Sequence, residues 1–165
     1  MQVRDASDPD LPVLVAIYND VLATSTAMFS SVPVSLADRR QWWSARLAQG
    51  YPVLVAAEPD GVLGFATFGD FRAGLGYRFT VEHSLHVRAD RRGQGIGAQL
   101  LEALFLRAAA LSKHMMIAGV DAANVASIRF HERHGFQQAG HLHEVGHKFG
   151  RWLDLVFLQR RIQDR

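Results

Sequence analysis

At 165 residues, with 48% hydrophobic and 21% charged side chains, the chain has the size and balance of one globular domain, residues 1–165, that buries its own core. A net charge of +2, with one tight basic cluster at Arg88, Arg91 and Arg92, argues against the broad basic face of a nucleic-acid binder and suits a small polyanion instead. There is no cysteine, which removes disulfides, thiolate metal sites and a cysteine nucleophile; "MQVRDASDPDLP" holds no secretory core and no run approaches the ~18 apolar residues of a membrane span, so the expectation is a cytoplasmic protein with no membrane partner.

In chain order, "SDPDLPVLVAIYNDVL" predicts a helix, with Ser7 or Asp8 as cap and Pro9 tolerated in the first turn. "SLADRRQWWSARLAQG" predicts a second, opened by a capping box of Ser35 and Asp38 and closed at Gly50, with Leu36, Trp43 and Leu47 near one face. The period then changes. "PVLVAAE", "VLGFATFGDF" and "YRFTVEHSLHV" are rich in β-branched and aromatic residues, and the short turns between them predict an antiparallel meander. Ile96, Leu100, Leu101, Leu104, Ala108 and Leu111 then recur at helical spacing. "HMMIAGVD" reads as a buried strand, "VASIRFHERHG" as a helix ended by Gly135, and "RWLDLVFLQRRI" as a last strand. The result is an α/β chain built on one central mixed sheet.

Between the third strand and the next helix lies "VRADRRGQGIGAQLL", with glycines at 93, 95 and 97. A strand, a glycine-rich turn and a helix N-terminus make an anion site, because exposed N–H groups converge and the helix dipole adds positive charge. A P-loop needs Lys and a hydroxyl after its last glycine, and "AQL" follows here. The dinucleotide fingerprint is matched by Gly93, Gly95 and Ala98, with Asp121 ending a later strand, which keeps an NAD(P)-binding oxidoreductase as an alternative. Against it, "RADRR" separates strand from glycine, and a meander precedes the motif. A third pattern, Arg/Gln-x-x-Gly-x-Gly/Ala, is met by Arg92, Gly95 and Gly97, and it resembles the pyrophosphate loop of the GNAT superfamily of N-acetyltransferases.

Within that superfamily the chain resembles the phosphinothricin and methionine sulfoximine acetyltransferases. "AIYNDVL", "GYPVLVA", "FATFGDFR", "TVEHS", "RRGQGIGAQLL", "NVASIRFHERHGF" and "KFGRWLDL" carry the likeness, in the family's order and over nearly the whole chain. The resemblance implies the GNAT fold, a mostly antiparallel mixed sheet flanked by helices, with acetyl-CoA as co-substrate. It implies direct acetyl transfer to the α-amino group of small amino-acid-like molecules, namely L-methionine sulfoximine, methionine sulfone and phosphinothricin, and a homodimer to which "GHKFGRWLDL" contributes.

Such a transfer needs a base for the ammonium, a donor for the oxyanion and an acid for the thiolate. By resemblance Glu82 is the base and His131 the histidine near the sulfur. Strand parity supports Glu82, since Thr80, Glu82, Ser84 and His86 share a face. Leu85, His86 and Val87 would meet the pantetheine arm, with a backbone N–H near Leu85 on the oxyanion. Arg92, Gly93, Gln94, Gly95, Ile96, Gly97 and Ala98 would hold the pyrophosphate, with Asn124 and Ser127 beside the cofactor. Arg72 and Arg78 flank Gly74, Leu75 and Gly76 and offer forks for a substrate carboxylate; Phe29, Phe71 and Leu75 would supply an apolar wall, and Ser84 a polar contact. His86 and Phe71 replace a tyrosine and a tryptophan frequent in the family. A metal site at His141, His143 and His147, with Glu144 nearby, is thinkable from strand alternation, but the resemblance implies no metal. A non-catalytic acyl-CoA sensor stands as a further alternative.

Overall fold

Val53 to Ala56 are all buried, and so are eight consecutive residues from Val62 to Gly69, which is how strands read when both faces of a sheet are covered. The computed structural model describes residues 1–162. Along the chain run β1 (Gln2–Asp5), α1 (Leu11–Thr24), α2 (Leu36–Ala48), β2 (Val53–Glu58), β3 (Gly61–Asp70), β4 (Thr80–Val87), α3 (Ile96–Ala110), β5 (Met115–Asp121), α4 (Val125–Arg133), β6 (Gln137–Lys148) and β7 (Arg151–Arg161). The strands form one seven-stranded sheet in the order β1-β2-β3-β4-β5-β7-β6. Every pairing is antiparallel except β4 with β5.

Alternation sorts the core onto two faces. Leu54 and Ala56 join Phe68, Val81 and Met116 beneath Leu100, Leu101 and Leu104 of α3. Val53, Val55 and Phe65 join Leu11, Leu14 and Ile17 of α1. The meander forms as expected. Two strands do not appear in the sequence reading. Four-residue β1 has one apolar side chain, and Arg4 reaches Asp10 with a two-pronged ion pair at 2.7 and 2.9 Å. β6 is exposed over most of its length and carries Gly140 and Gly146. It has no hydrophobic period, and its place as an edge strand comes from pairing with β7.

At the start, residues 8–10 form a 3-10 turn before α1, and the Asp10 carboxylate accepts from the Ser7 N–H and hydroxyl. The Ser35–Asp38 box caps α2 as expected. The expected face of α2 holds only at Trp43: Leu36 and Leu47 are exposed, and the inward positions are Arg39, Trp42, Trp43 and Arg46. Their stems and flat guanidinium groups lie on aromatic rings, so charged residues take positions that a hydrophobic count assigns elsewhere. Asn19 then pins the α1–α2 connection, its amide exchanging two 2.9 Å bonds with the Val34 backbone.

Candidate active site

β4 and β5 pair only from Thr80 to Glu82 against Met115 to Ile117, yet β4 continues to Val87 and β5 to Asp121. The strands therefore part in the middle of the sheet. The β3–β4 ladder sets which backbone groups face the gap. Arg88 N–H donates to Leu63 O at 2.8 Å and Phe71 N–H to Thr80 O at 3.3 Å, so even-numbered β4 residues bond to β3. Odd-numbered ones face β5, as Phe79 O does in accepting from His114 N–H at 2.8 Å. The Leu85 N–H thus points into the gap, beyond the last β4–β5 pair.

A cavity of about 420 Å³ opens on this gap, lined by Glu82, Ser84, His86, Gly119, Asp121 and His131, with Tyr18, Arg39 and Trp42 from α1 and α2. Glu82 is half-buried, and burial raises its carboxyl above the ordinary carboxylate range. Gly119 makes room for it, because a Cβ there would lie 3.0 Å from Glu82 Oε1. Phe157 borders Gly119 and meets Phe71 edge to face at 5.8 Å, so Phe71 stands one ring away from this wall.

His131 Nδ1 lies 2.7 Å from the Ser127 carbonyl oxygen, which only accepts, so Nδ1 carries the proton. Its bare Nε2 is 3.1 Å from His83 Nε2, which therefore donates. His83 Nδ1 is left as a buried acceptor without a partner among the described residues. Burial, then His131 and His86, push His83 down to about 3. Burial, then Arg39 and Arg92, push His86 down to about 4. Burial also lowers His131, with the Ser127 carbonyl acting against it. All three rings are neutral near pH 7.

A second cleft of about 880 Å³ continues from the first, sharing Ala27, Leu85, His86, Asp121, Asn124, Ser127 and Phe130 with it. It is lined by Val87, Arg92, Gly93, Gly95, Ile96, Gly97 and Ala98, and by Arg133, His134 and Arg151. Gly93 and Gly95 have φ of +74° and +79°, a left-handed conformation that accounts for glycine at both. Gly97 is different: it lies in the first turn of α3, and a Cβ there would meet only Leu85 and Phe130 at 3.5 and 3.6 Å. Its bare backbone leaves the helix N-terminus open to the cleft. Of the arginine cluster, Arg88 pairs with Asp90 and Arg91 with Glu58, while Arg92 stays exposed with its Nε 3.4 Å from Val87 O.

The structure thus brings Glu82, Ser84, Leu85, His86, Asn124, Ser127 and His131 to one cavity, and all cofactor candidates except Gln94 to the two connected spaces. Six substrate candidates do not line the cavity. Phe29 packs on Gly146, and Arg72, Gly74, Leu75, Gly76 and Arg78 lie on an exposed turn. There Arg72 sits over Phe71, and Arg78 sits over Phe79 and donates to Leu75 O at 2.7 Å. Sequence reasoning missed Tyr18, Arg39, Trp42, Gly119, Arg133 and Arg151; the only local signal was the three-residue spacing of Arg39 and Trp42 on α2. Asp121 fastens the 25–28 segment through Thr26 and accepts from Ala123 N–H at 3.0 Å, so its oxygens are engaged within the chain. On β6, His141 and His143 converge on Asp154 at 2.8 and 3.1 Å, with Glu144 contributing a backbone N–H instead of its carboxylate.

The model of the acetyltransferase (GNAT) family matches residues 14–136. The chain is 52% identical to an L-methionine sulfoximine/L-methionine sulfone acetyltransferase of Pseudomonas paraeruginosa, over 95% of this chain and 92% of that one. It is 42% identical to a phosphinothricin N-acetyltransferase of Alcaligenes faecalis, over 96% and 81%. An acetyltransferase of Salmonella typhimurium, solved with its cofactor acetyl-CoA, superposes with a TM-score of 0.96 at 41% identity, covering 100% of this chain and 95% of that one.

Proposed function

The chain belongs to the acetyltransferase (GNAT) family and is an N-acetyltransferase; on that premise we propose that it moves the acetyl group of acetyl-CoA directly onto the α-amino group of small amino-acid-like molecules. L-methionine sulfoximine, methionine sulfone and phosphinothricin are the acceptors its relatives point to. The observation that carries this reading is the junction of two spaces at the parted strands: an anion-ready cleft on one side, and a cavity holding an isolated half-buried carboxylate on the other.

The cleft fits acetyl-CoA by the chemistry of its donors. The open N-terminus of α3, Arg92, Arg133 and Arg151 suit phosphates, and the unpaired edge of β4 suits an amide-bearing arm. Bound acetyl-CoA would supply the thioester carbonyl carbon that the amine attacks; as the C–N bond forms the C–S bond breaks, coenzyme A leaves as a thiolate, and a proton released by the amine neutralises it. The chain's own part starts with Glu82. An acceptor ammonium must lose a proton, and a carboxylate whose pKa lies above the ordinary range takes it, directly or through a water, better than an ordinary one. The Leu85 N–H, aimed into the gap, is assigned to the oxyanion. His131 holds its Nδ1 proton on Ser127, so Nε2 is its acceptor atom, and it takes the His83 Nε2–H at 3.1 Å. The Nδ1–H bond denies Ser127 a base: its hydroxyl is 3.5 Å from an already protonated nitrogen. With no cysteine in the chain, this supports direct transfer without a covalent enzyme intermediate.

We further assign the enzyme to the cytoplasm, where acetyl-CoA is made and used, and to a homodimer. Exposed Leu142, Val145, Phe149 and Trp152 on and between β6 and β7 support the dimer. Thiol release from acetyl-CoA with a panel of amines tests the function. Release with methionine sulfone, methionine sulfoximine or phosphinothricin is expected, and release only with polyamines or peptide N-termini would discard the substrate class.

A further inference from the structure

β6 and β7 pair out of step in one place. Leu142 faces Leu155 and Gly146 faces Leu153, so the three residues from His143 to Val145 stand opposite Asp154 alone. Within this bulge Glu144 takes a left-handed φ of +53°, and its N–H donates to Asp154 Oδ1 at 2.9 Å. That bond fixes the carboxylate and leaves Oδ2 for the side chains. His141 Nε2 lies 2.8 Å and His143 Nδ1 3.1 Å from this same oxygen, and the two rings stack with centroids 4.4 Å apart. Strand alternation puts His147 with them, but its ring meets Trp152 instead, at 4.7 Å.

Two imidazoles aimed at one oxygen are unfavourable in either charge state. Two imidazolium rings stacked at this distance repel each other, and two neutral rings each spend their one ring proton on a shared acceptor. A divalent cation between the three atoms removes both penalties. Each neutral ring then holds its proton on its other nitrogen and turns a bare lone pair to the metal. The three ligand atoms lie within 4.8 Å of one another. The two nitrogen–oxygen separations approach the ~3.3 Å edge of a tetrahedron whose metal bonds are roughly 2.0–2.1 Å. Both rings are exposed, so side-chain rotation closes the remaining distance. Two nitrogens and one carboxylate, in a chain without cysteine, suit zinc, cobalt or nickel better than magnesium or calcium. Three protein ligands leave the fourth position to water.

We propose that His141, His143 and Asp154 form a surface site for a divalent transition-metal cation of the zinc type, which clasps edge strand β6 to β7. None of the three lines the Glu82 cavity or the cleft beside it, so this site and the acetyl-transfer reading stand or fall separately. The test is calorimetric titration of ZnCl2 into the full chain, made without a histidine tag. One Zn2+ per chain should bind with a dissociation constant of about 10 µM or tighter, and excess Mg2+ should not displace it. The unfolding midpoint should rise with added Zn2+, and Co2+ at the same site should show the visible absorption of a low-coordinate nitrogen–oxygen centre. His141→Ala and His143→Ala, both at exposed positions, should each weaken binding by about 100-fold or more, beyond the 10- to 100-fold typical of a group that only supports a ligand. Asp154→Asn should do the same while its amide oxygen still accepts from Glu144, and His147→Ala should bind Zn2+ as the wild type does. Acetyl transfer by His141→Ala should be unchanged. An affinity that survives both histidine variants would mean an adventitious cation only and overturn the site. Absence of binding, or one Zn2+ per two chains, would overturn it as well.

Discussion

Arg39 and Lys148 are both buried cations, 4% and 2% exposed, and neither has a carboxylate partner among the described residues, yet the protein treats them in opposite ways. Lys148 donates all three ammonium protons to the carbonyls of Leu22, Ser25 and Met28, at 2.7, 2.7 and 2.8 Å. It closes the C-terminal end of α1 and fixes the segment whose Ala27 and Met28 line the cavity. Its hydrogen-bonding capacity is used up. Across the cavity the reverse holds: among the described residues Arg39 Nε and His83 Nδ1 have no hydrogen-bond partner, and no cation pairs with Glu82. A polar group satisfied inside the chain builds the wall, and one left unsatisfied beside a cavity is a desolvation cost that the fold carries there.

That contrast can be broken by substitution. The largest effect belongs to the unsatisfied side. Glu82→Gln should cut turnover by about 10²- to 10⁴-fold, the usual worth of a positioned base, with acetyl-CoA affinity and melting temperature nearly unchanged. Steady-state kinetics across pH would check it: the wild-type rate should fall on the acid side above the ordinary carboxylate range, and a variant that keeps both rate and limb removes Glu82 from the role. On the satisfied side, Lys148→Met leaves one buried and two part-buried carbonyls without donors at roughly 1–3 kcal/mol each when buried, partly offset by the loss of a desolvated charge. About 3 kcal/mol of lost stability is expected in urea unfolding, and an unmoved midpoint would show that the strap stands without its lysine.

The smallest effect sits between the two sides, in the neutral histidines. His83 and His86 have folded pKa values of about 3 and about 4, against roughly 6.5 in an unfolded chain. Below pH ~6.5 the unfolded chain binds protons that the folded one refuses, so stability is complete above that pH and is lost as the pH falls toward the folded values. His83→Phe should flatten this slope, an effect of ~2 kcal/mol at pH 5 and close to none at pH 8. Unfolding midpoints measured at both pH values decide it; equal slopes in variant and wild type would mean that His83 is protonated in the fold.

Much of the fold was legible because it repeats locally. The meander, the α3 stripe and the capping box of α2 each lie within one short stretch of sequence. β1 and β6 were not legible, since a four-residue edge strand and an exposed glycine-bearing strand have no period of their own and are held by neighbours. The site divides likewise. "TVEHS" and the glycine run placed Glu82, Leu85 and the cleft-lining residues from 92 to 98, Gln94 apart. The exposed turn offered Arg72 and Arg78 by their place just before β4, and place along the chain does not say which arginine lines the cavity.

The amino-acid sequence by itself determined the strand–glycine turn–helix, because positive φ at Gly93 and Gly95 and an open helix N-terminus are local backbone properties. It also determined the parity that sets Glu82, Ser84 and His86 on one face of β4. Only the tertiary structure decided that β4 and β5 part after Glu82, that His83 Nε2 meets His131 Nε2 at 3.1 Å, and that Arg39 enters the cavity on the ring of Tyr18. Those outcomes depend on which buried groups find partners in elements distant along the chain, and local spacing carries no record of that balance.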